Sequence, residues 1–446
     1  MNAKISLRSK IGFGAGEFSS SIFFTITSFW LMNFLTDEVG LSAALAGTAL
    51  LVGKIWDAVI DPFIGHFSDH TRSPWGRRRP YILFFAVPLG LAFVVMFRNP
   101  GIEAQTGKFI WAMLTYVFLC TVYSFTNIPY NSLLPEMTSD YNERTNISGY
   151  KQGFAVIGTL LGAGAALPLM TMVGGGSAGF IAMSAVFGFL AALSLLVTFF
   201  SVREPPDQGR PAGENVVKSL KDAFSNRPYL LLVSAWFTNS TAMAILQTML
   251  VYFYKYIMEN EAGVTLAMIT LLLVSMFAIP FWVWAARKIG KKKAYILGMT
   301  LTVATVLSMA FTGDYLGAAA LGLMALAGVG FSSHYVLPWS MAPDTIEYGY
   351  YRSGVRREGI YYSIWTFVIA LGGALAGFLV GQGLNLFGYI PNVAQSAESI
   401  LGIRLLIGPL PAILILLGNL VLYFYPLDKK RYEEVVKLQR AREGAQ

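Results

Sequence analysis

The chain has 446 residues, 55% of them hydrophobic and only 13% charged, with a formal net charge of +8 and a mean hydropathy of +0.55. Soluble domains carry about 25% charged residues, so the balance is that of a polytopic membrane protein. Cys120 is the only cysteine, which excludes an intrachain disulfide and a thiolate metal cluster.

In chain order, the basic stretch MNAKISLRSK comes first. The apolar run after it is too long for a signal-peptide core and has no small-residue cleavage site, so the first span is expected to be retained. A bilayer core about 30 Å thick needs roughly 20 apolar residues per helix. Runs of that length predict about twelve transmembrane helices, near 11-36, 41-68, 79-98, 108-134, 148-173, 178-200, 228-257, 264-286, 292-312, 316-343, 358-386 and 400-426. Between the sixth and seventh lies a polar, Pro- and Gly-containing stretch. It divides the chain into an N-terminal six-helix half over 1-200, a cytoplasmic linker over 201-227, a second six-helix half over 228-426 and a tail over 427-446. From Asp428 this tail reads as an amphipathic cytoplasmic helix.

The positive charge marks topology rather than a nucleic-acid partner. With the N-terminus inside, 28 of the 33 basic residues fall in inner loops and termini. That is the positive-inside pattern with both termini cytoplasmic, and it requires an even number of spans. Two motifs recur: GRRR at Gly76 returns as GKKK at Gly290, a shift of 214, and IPYNSLLPEM from Ile128 resembles LPWSMAPDTIEY from Leu337, a shift of 209. Similar shifts indicate a duplicated six-helix unit, the parallel repeat of the major facilitator fold, whose halves usually meet at a mid-membrane binding site. The fold class is therefore an all-α integral membrane protein.

The second span, KIWDAVIDPFIGHF, carries Lys54, Asp57 and Asp61 at a spacing that places all three on one helical face. Each charge costs roughly 2.5–3.5 kcal/mol at mid-membrane, and such residues usually face a cavity on an ion or proton pathway. Two neighbouring carboxylates repel when both are ionised, and a bound cation or proton relieves that repulsion. The competing explanation is a Lys54–Asp57 pair that only joins helices.

WDAVIDPFIGHFSDHTRSPWGRRRPYIL, with GFGAGEF, TDEVGLS, NIPYNSLLPE and PDTIEYGYYRSGVRREGIYYS, resembles the glycoside/pentoside/hexuronide cation symporters, the melibiose permease group of the major facilitator superfamily. The matches run from about Gly12 to Pro391. The resemblance implies a secondary active transporter that moves a small-molecule sugar substrate with a coupling cation, by alternating access. It implies Asp57 and Asp61 as the cation pair, a possible Na⁺ site, with Lys54 beside them and Ser124 supplying a hydroxyl. Ile60 stands where the melibiose permease has a polar cation-site residue. A proton needs a single carboxylate whereas Na⁺ needs several oxygens, so H⁺ competes with Na⁺. Toward the sugar, the resemblance implies positions occupied here by Ser19, with Glu17 half a turn away, Asn127, Asn131, Gln152 beside Lys151, and Tyr335; Trp365 adds an aromatic face. Several of these lack the charge or ring the family uses, which leaves room for another cargo, such as a lysolipid or an organic anion.

Asp69 with Arg77, Arg78 and Arg79, and Glu136, Asp140, Asp344 and Glu347 on later spans, are placed to form weak cytoplasmic latches, of about 0–1 kcal/mol per exposed pair. His66, His70 and His334 are the only histidines, and no HExxH or GxSxG motif is present. No catalytic constellation emerges, so neither enzymatic activity nor a cofactor is expected. The protein is expected to be monomeric in a bacterial inner membrane.

Overall fold

The computed structural model describes residues 5–138, 141–204, 216–316, 319–354, 358–428, 431–434 and 437–438. Lipid offers the backbone no hydrogen-bond partners, so each apolar run must satisfy its own amides, and each forms a helix. The first half gives α1 (Leu7–Ile26), α2 (Ala43–His70), α3 (Arg79–Met96), α4 (Gln105–Met137), α5 (Tyr141–Met172) and α6 (Gly176–Ser201). A short α7 (Val216–Phe224) precedes the second half, α8 (Arg227–Tyr256), α9 (Gly263–Ile289), α10 (Lys291–Leu316), α11 (Ala320–Ser353) and α12 (Glu358–Leu386). The last expected span is broken at Gly408 into α13 (Ala397–Ile407) and α14 (Pro409–Tyr423), since Pro409 and Pro411 have no N–H to continue the backbone ladder. Of the expected tail helix, residues 431–434 are helical.

Eleven spans among the described residues are long and apolar enough to cross a membrane. The expected first span is not among them, although it is helical. Glu17 and Ser19–Ser21 lower its hydropathy, and beyond Ile26 it continues through two π-helical stretches, Thr27–Leu31 and Phe34–Glu38.

The chain divides into two units, Met1–Gln208 with Gly377–Ser399, and Gly209–Ala376 with Ile400–Gln446. Their internal pairings correspond. In the first unit α2 packs on α4, α3 on α4 and α6, and α1 on α6; in the second α9 packs on α11, α10 on α11 and α14, and α8 on α14. Small residues allow the closest approaches. A Cβ on Gly90 would lie 2.8 Å from the Gly188 carbonyl oxygen, and one on Gly47 2.6 Å from that of Gly377. At the same end of the first unit as Gly47, the Tyr389 hydroxyl donates to Asp37 Oδ1 at 2.5 Å and Asn392 Nδ2 donates to the Asp37 carbonyl at 2.6 Å.

Candidate functional site

Within the first unit, α2 presents Lys54, Asp57 and Asp61 to α4, as their spacing predicts. Lys54 Nζ lies 3.3 Å from Asp57 Oδ2, and the Ser124 hydroxyl on α4 donates to Asp57 Oδ1 at 2.9 Å. Asp57 is 8% exposed, so this carboxylate exchanges hydration for one ammonium and one hydroxyl. The ammonium also sits over the rings of Phe23 and Phe24, at 5.1 and 5.5 Å, where ring faces favour a desolvated cation. One turn further, Asp61 Oδ1 is buried and has no hydrogen-bond partner. The cluster thus sets one basic side chain against two acidic ones, with a carboxylate oxygen left over. A buried charge is tolerated only when paired, so this oxygen is where a proton or a metal cation would be held. No group of three or more His, Cys, Asp or Glu side chains forms a metal cage among the described residues.

The polar face of α4 continues through Asn127 and Asn131, at i+3 and i+7 from Ser124, so all three share a side of the helix. Ser20 on α1 donates to Asn127 Oδ1 at 3.1 Å, and Asn131 Nδ2 donates to the same oxygen at 2.8 Å. Lys151 on α5 donates to Asn131 Oδ1 at 2.6 Å and pairs with Glu17 Oε2 at 3.2 Å. Its ammonium lies 5.6 Å from the centre of the Tyr130 ring. Four expected sugar-side residues, Glu17, Asn127, Asn131 and Lys151, are therefore joined in one network. Gln152 is exposed, and Ser19 is 2% exposed with an unpartnered hydroxyl. Ser20 and Tyr130 were not anticipated. The i, i+3, i+7 spacing on α4 was the available signal for the network, but the α1 partner needed the fold.

In the second unit, Trp365 is fully buried rather than open to a solute. It stacks on Trp236 at 4.8 Å, and Trp236 stacks on His334 at 4.3 Å. Tyr295 binds His334 Nδ1 at 3.1 Å and accepts from Asn239 Nδ2 at 2.8 Å. Tyr335 remains 48% exposed, edge-on to Phe331.

The arginine loop is anchored inside the first unit. The amides of Arg77 and Arg78 each donate to Glu204 at 2.9 Å, and Arg77 Nε lies 3.8 Å from the same carboxylate. Arg78 is 2% exposed and donates to Ser68 Oγ at 2.8 Å; Arg79 donates to the Phe199 carbonyl at 2.7 Å. Glu204 was missed because its carboxylate serves backbone amides, which no charge pattern reveals. In the second unit Asp344 pairs with Lys291 at 2.6 Å. The side chains of Asp69 and Glu136, and all of Asp140, lie outside the described residues.

Comparison with known proteins gives the family of the chain. The family described as MFS/sugar transport protein matches residues 12–429. The chain belongs to that family. Among curated members, the isoprimeverose transporter of Lactiplantibacillus pentosus is 31% identical over 94% of this chain and 88% of its own length. The uncharacterized symporter YnaJ of Bacillus subtilis (strain 168) is 32% identical over 97% of this chain and 95% of its own. A bacterial homolog of the human lysosomal transporter Spinster, solved inward-facing and unoccupied, superposes with a TM-score of 0.68 at 12% identity, covering 96% of this chain and 97% of that one. This last likeness shows the major facilitator fold. As a member of the MFS/sugar transport family, the protein is a multi-pass membrane carrier of the sugar-symport class.

Proposed function

We propose that this carrier loads one monovalent cation at Asp57 and Asp61 and binds a neutral sugar or glycoside at the network of Glu17, Asn127, Asn131 and Lys151. The reading rests on one observation: the single ammonium pairs with Asp57, leaving a buried oxygen of the second carboxylate, Asp61, unpartnered. One further positive charge balances the cluster.

The same geometry favours H⁺ as that cation. Both Asp57 oxygens are already engaged: the Ser124 hydroxyl points its hydrogen at one, and Lys54 covers the other. A Na⁺ ion would have to displace the ammonium and turn the hydroxyl, whereas a proton needs only Asp61. On the sugar side, Glu17 and Lys151 cancel, and the two asparagines supply donors and acceptors suited to hydroxyl groups. The relative named for isoprimeverose supports a saccharide cargo. Exposed Tyr335 offers an aromatic face to a sugar ring. The basic loops support an inner-membrane orientation with both termini cytoplasmic, and the Arg77–Glu204 and Lys291–Asp344 pairs brace that face.

Uptake of labelled glycosides, pentosides and uronates into proteoliposomes tests the proposal. A proton gradient should drive accumulation without Na⁺. Asp57→Asn and Asp61→Asn should each lower accumulation about a hundredfold, while sugar binding survives in Asp61→Asn. Uptake driven equally by a Na⁺ gradient alone would replace H⁺ with Na⁺, and accumulation by either variant at the wild-type level would overturn the site.

A further inference from the structure

A cavity of about 300 Å³ opens in the second unit, where the start of α8, α11 and the end of α14 with the tail come together. Its lining comprises Arg227, Pro228, Tyr348, Phe424, Leu427 and Arg431, with Pro426 between the last turn of α14 and the tail. Sequence alone gives no hint of it, because Arg227 and Arg431 are 204 residues apart and each reads as an ordinary basic residue of an inner loop. The fold brings both to one concavity. Both arginines are exposed, and no ion pair to either is found among the described residues.

Asp428, next to Leu427 of the lining, accepts from the Arg431 backbone amide at 2.9 Å, so it caps the tail helix. Lys292 is also engaged, donating to the carbonyls of Tyr423 and Tyr425 at 2.7 and 2.9 Å. What remains is a recess with two guanidinium groups, a phenol and a floor of proline and leucine. Planar guanidinium forks match the oxygens of a phosphate group bidentately. The rim adds a second clue: Tyr423 and Phe424 are 67% and 58% exposed, as aromatic residues are at a membrane–water interface. The Phe424 ring lines the charged recess and Tyr423 is its neighbour in the chain, so a ligand that is anionic at one end and oily at the other satisfies both.

We propose that this cavity binds a phosphate-bearing headgroup of an anionic phospholipid, with Arg227 and Arg431 holding the phosphate oxygens and the acyl chains lying along Tyr423 and Phe424. Basic recesses between transmembrane helices on the cytoplasmic side hold anionic lipids in this manner. A free phosphate ester presents the same oxyanion, and the experiment separates the two sources.

The full-length carrier, purified in detergent, is titrated with phosphatidylglycerol, phosphatidylcholine or inorganic phosphate, and retained ligand is read by native mass spectrometry alongside thermal unfolding. Phosphatidylglycerol should remain bound and raise the unfolding temperature. In Arg227→Gln with Arg431→Gln its retention should fall about thirtyfold, since each basic side chain at a membrane surface contributes about a factor of five. Arg287→Gln with Lys288→Gln removes equal charge elsewhere in the unit and should leave retention unchanged. Single Arg227→Gln and Arg431→Gln variants should each show part of the loss, which keeps the test open if the double variant misfolds. Inorganic phosphate stabilising the wild type as well as the lipid does would assign the site to free phosphate and overturn the lipid. Equal retention of phosphatidylcholine, or equal loss in the charge-matched variant, would overturn the site.

Discussion

The two units are built by the same helix pairings, yet their interiors differ in chemistry. Ser124 and Ser333 stand 209 residues apart, at corresponding positions of the repeat. Ser124 reaches across to Asp57 on α2, whereas Ser333 turns back on its own helix and donates to the Gly330 carbonyl at 2.7 Å. Around the first lies a ladder of charges and amides; around the second lies a stack of Trp236, His334 and Trp365. Duplication preserved how helices meet but not what they present to each other. In this carrier the ion-loading chemistry is proposed to reside in one half, and the other half contributes a rigid aromatic core.

This asymmetry can be broken experimentally. Asp61→Asn should have the largest effect on transport, lowering gradient-driven accumulation about a hundredfold, or ~2.7 kcal/mol, with exchange down no gradient retained; transport assays in both modes distinguish the two. Trp365→Ala should act on folding instead, destabilising the second unit by about 3–5 kcal/mol through the cavity it leaves. Its unfolding temperature should fall while the ion requirement of whatever folded carrier remains is unchanged. The paired serines then sharpen the contrast. Ser124→Ala removes a donor from a buried carboxylate, an effect of about 1–3 kcal/mol, and should weaken uptake roughly tenfold. Ser333→Ala loses only a hydrogen bond to its own turn and should stay within about twofold. Smallest of all, Lys291→Gln should change stability by about 0–1 kcal/mol, because its partly exposed pair with Asp344 is screened; denaturant titration at low and high salt would read it.

Much of this was legible in the sequence. Twelve apolar runs gave the helices, since length and hydropathy are what lipid selects, and the 209 and 214 shifts gave the repeat. Lys54, Asp57 and Asp61 declared themselves as charges where charges are expensive. Side-chain partners were harder. Ser20 and Tyr130 join the sugar-side network through tertiary approach, and Glu204 binds amides of a loop 126 residues away. Trp365 looked available to a sugar because an aromatic residue carries no mark of which neighbour covers it. The break at Gly408 was written in GPLP, yet a mean over the span smooths it away.

The π-helical turns of the first span have a consequence for phase. Each five-residue π stretch falls behind an α-helix by roughly a quarter turn, so the two together retard the outer end by about half a turn. A helical wheel drawn from Glu17 would therefore put Asp37 on the wrong side. Only the lagging phase brings Asp37 round to meet Tyr389 and Asn392. Deleting one residue between Thr27 and Leu31 would reset that phase and swing the Asp37 carboxylate away from Tyr389.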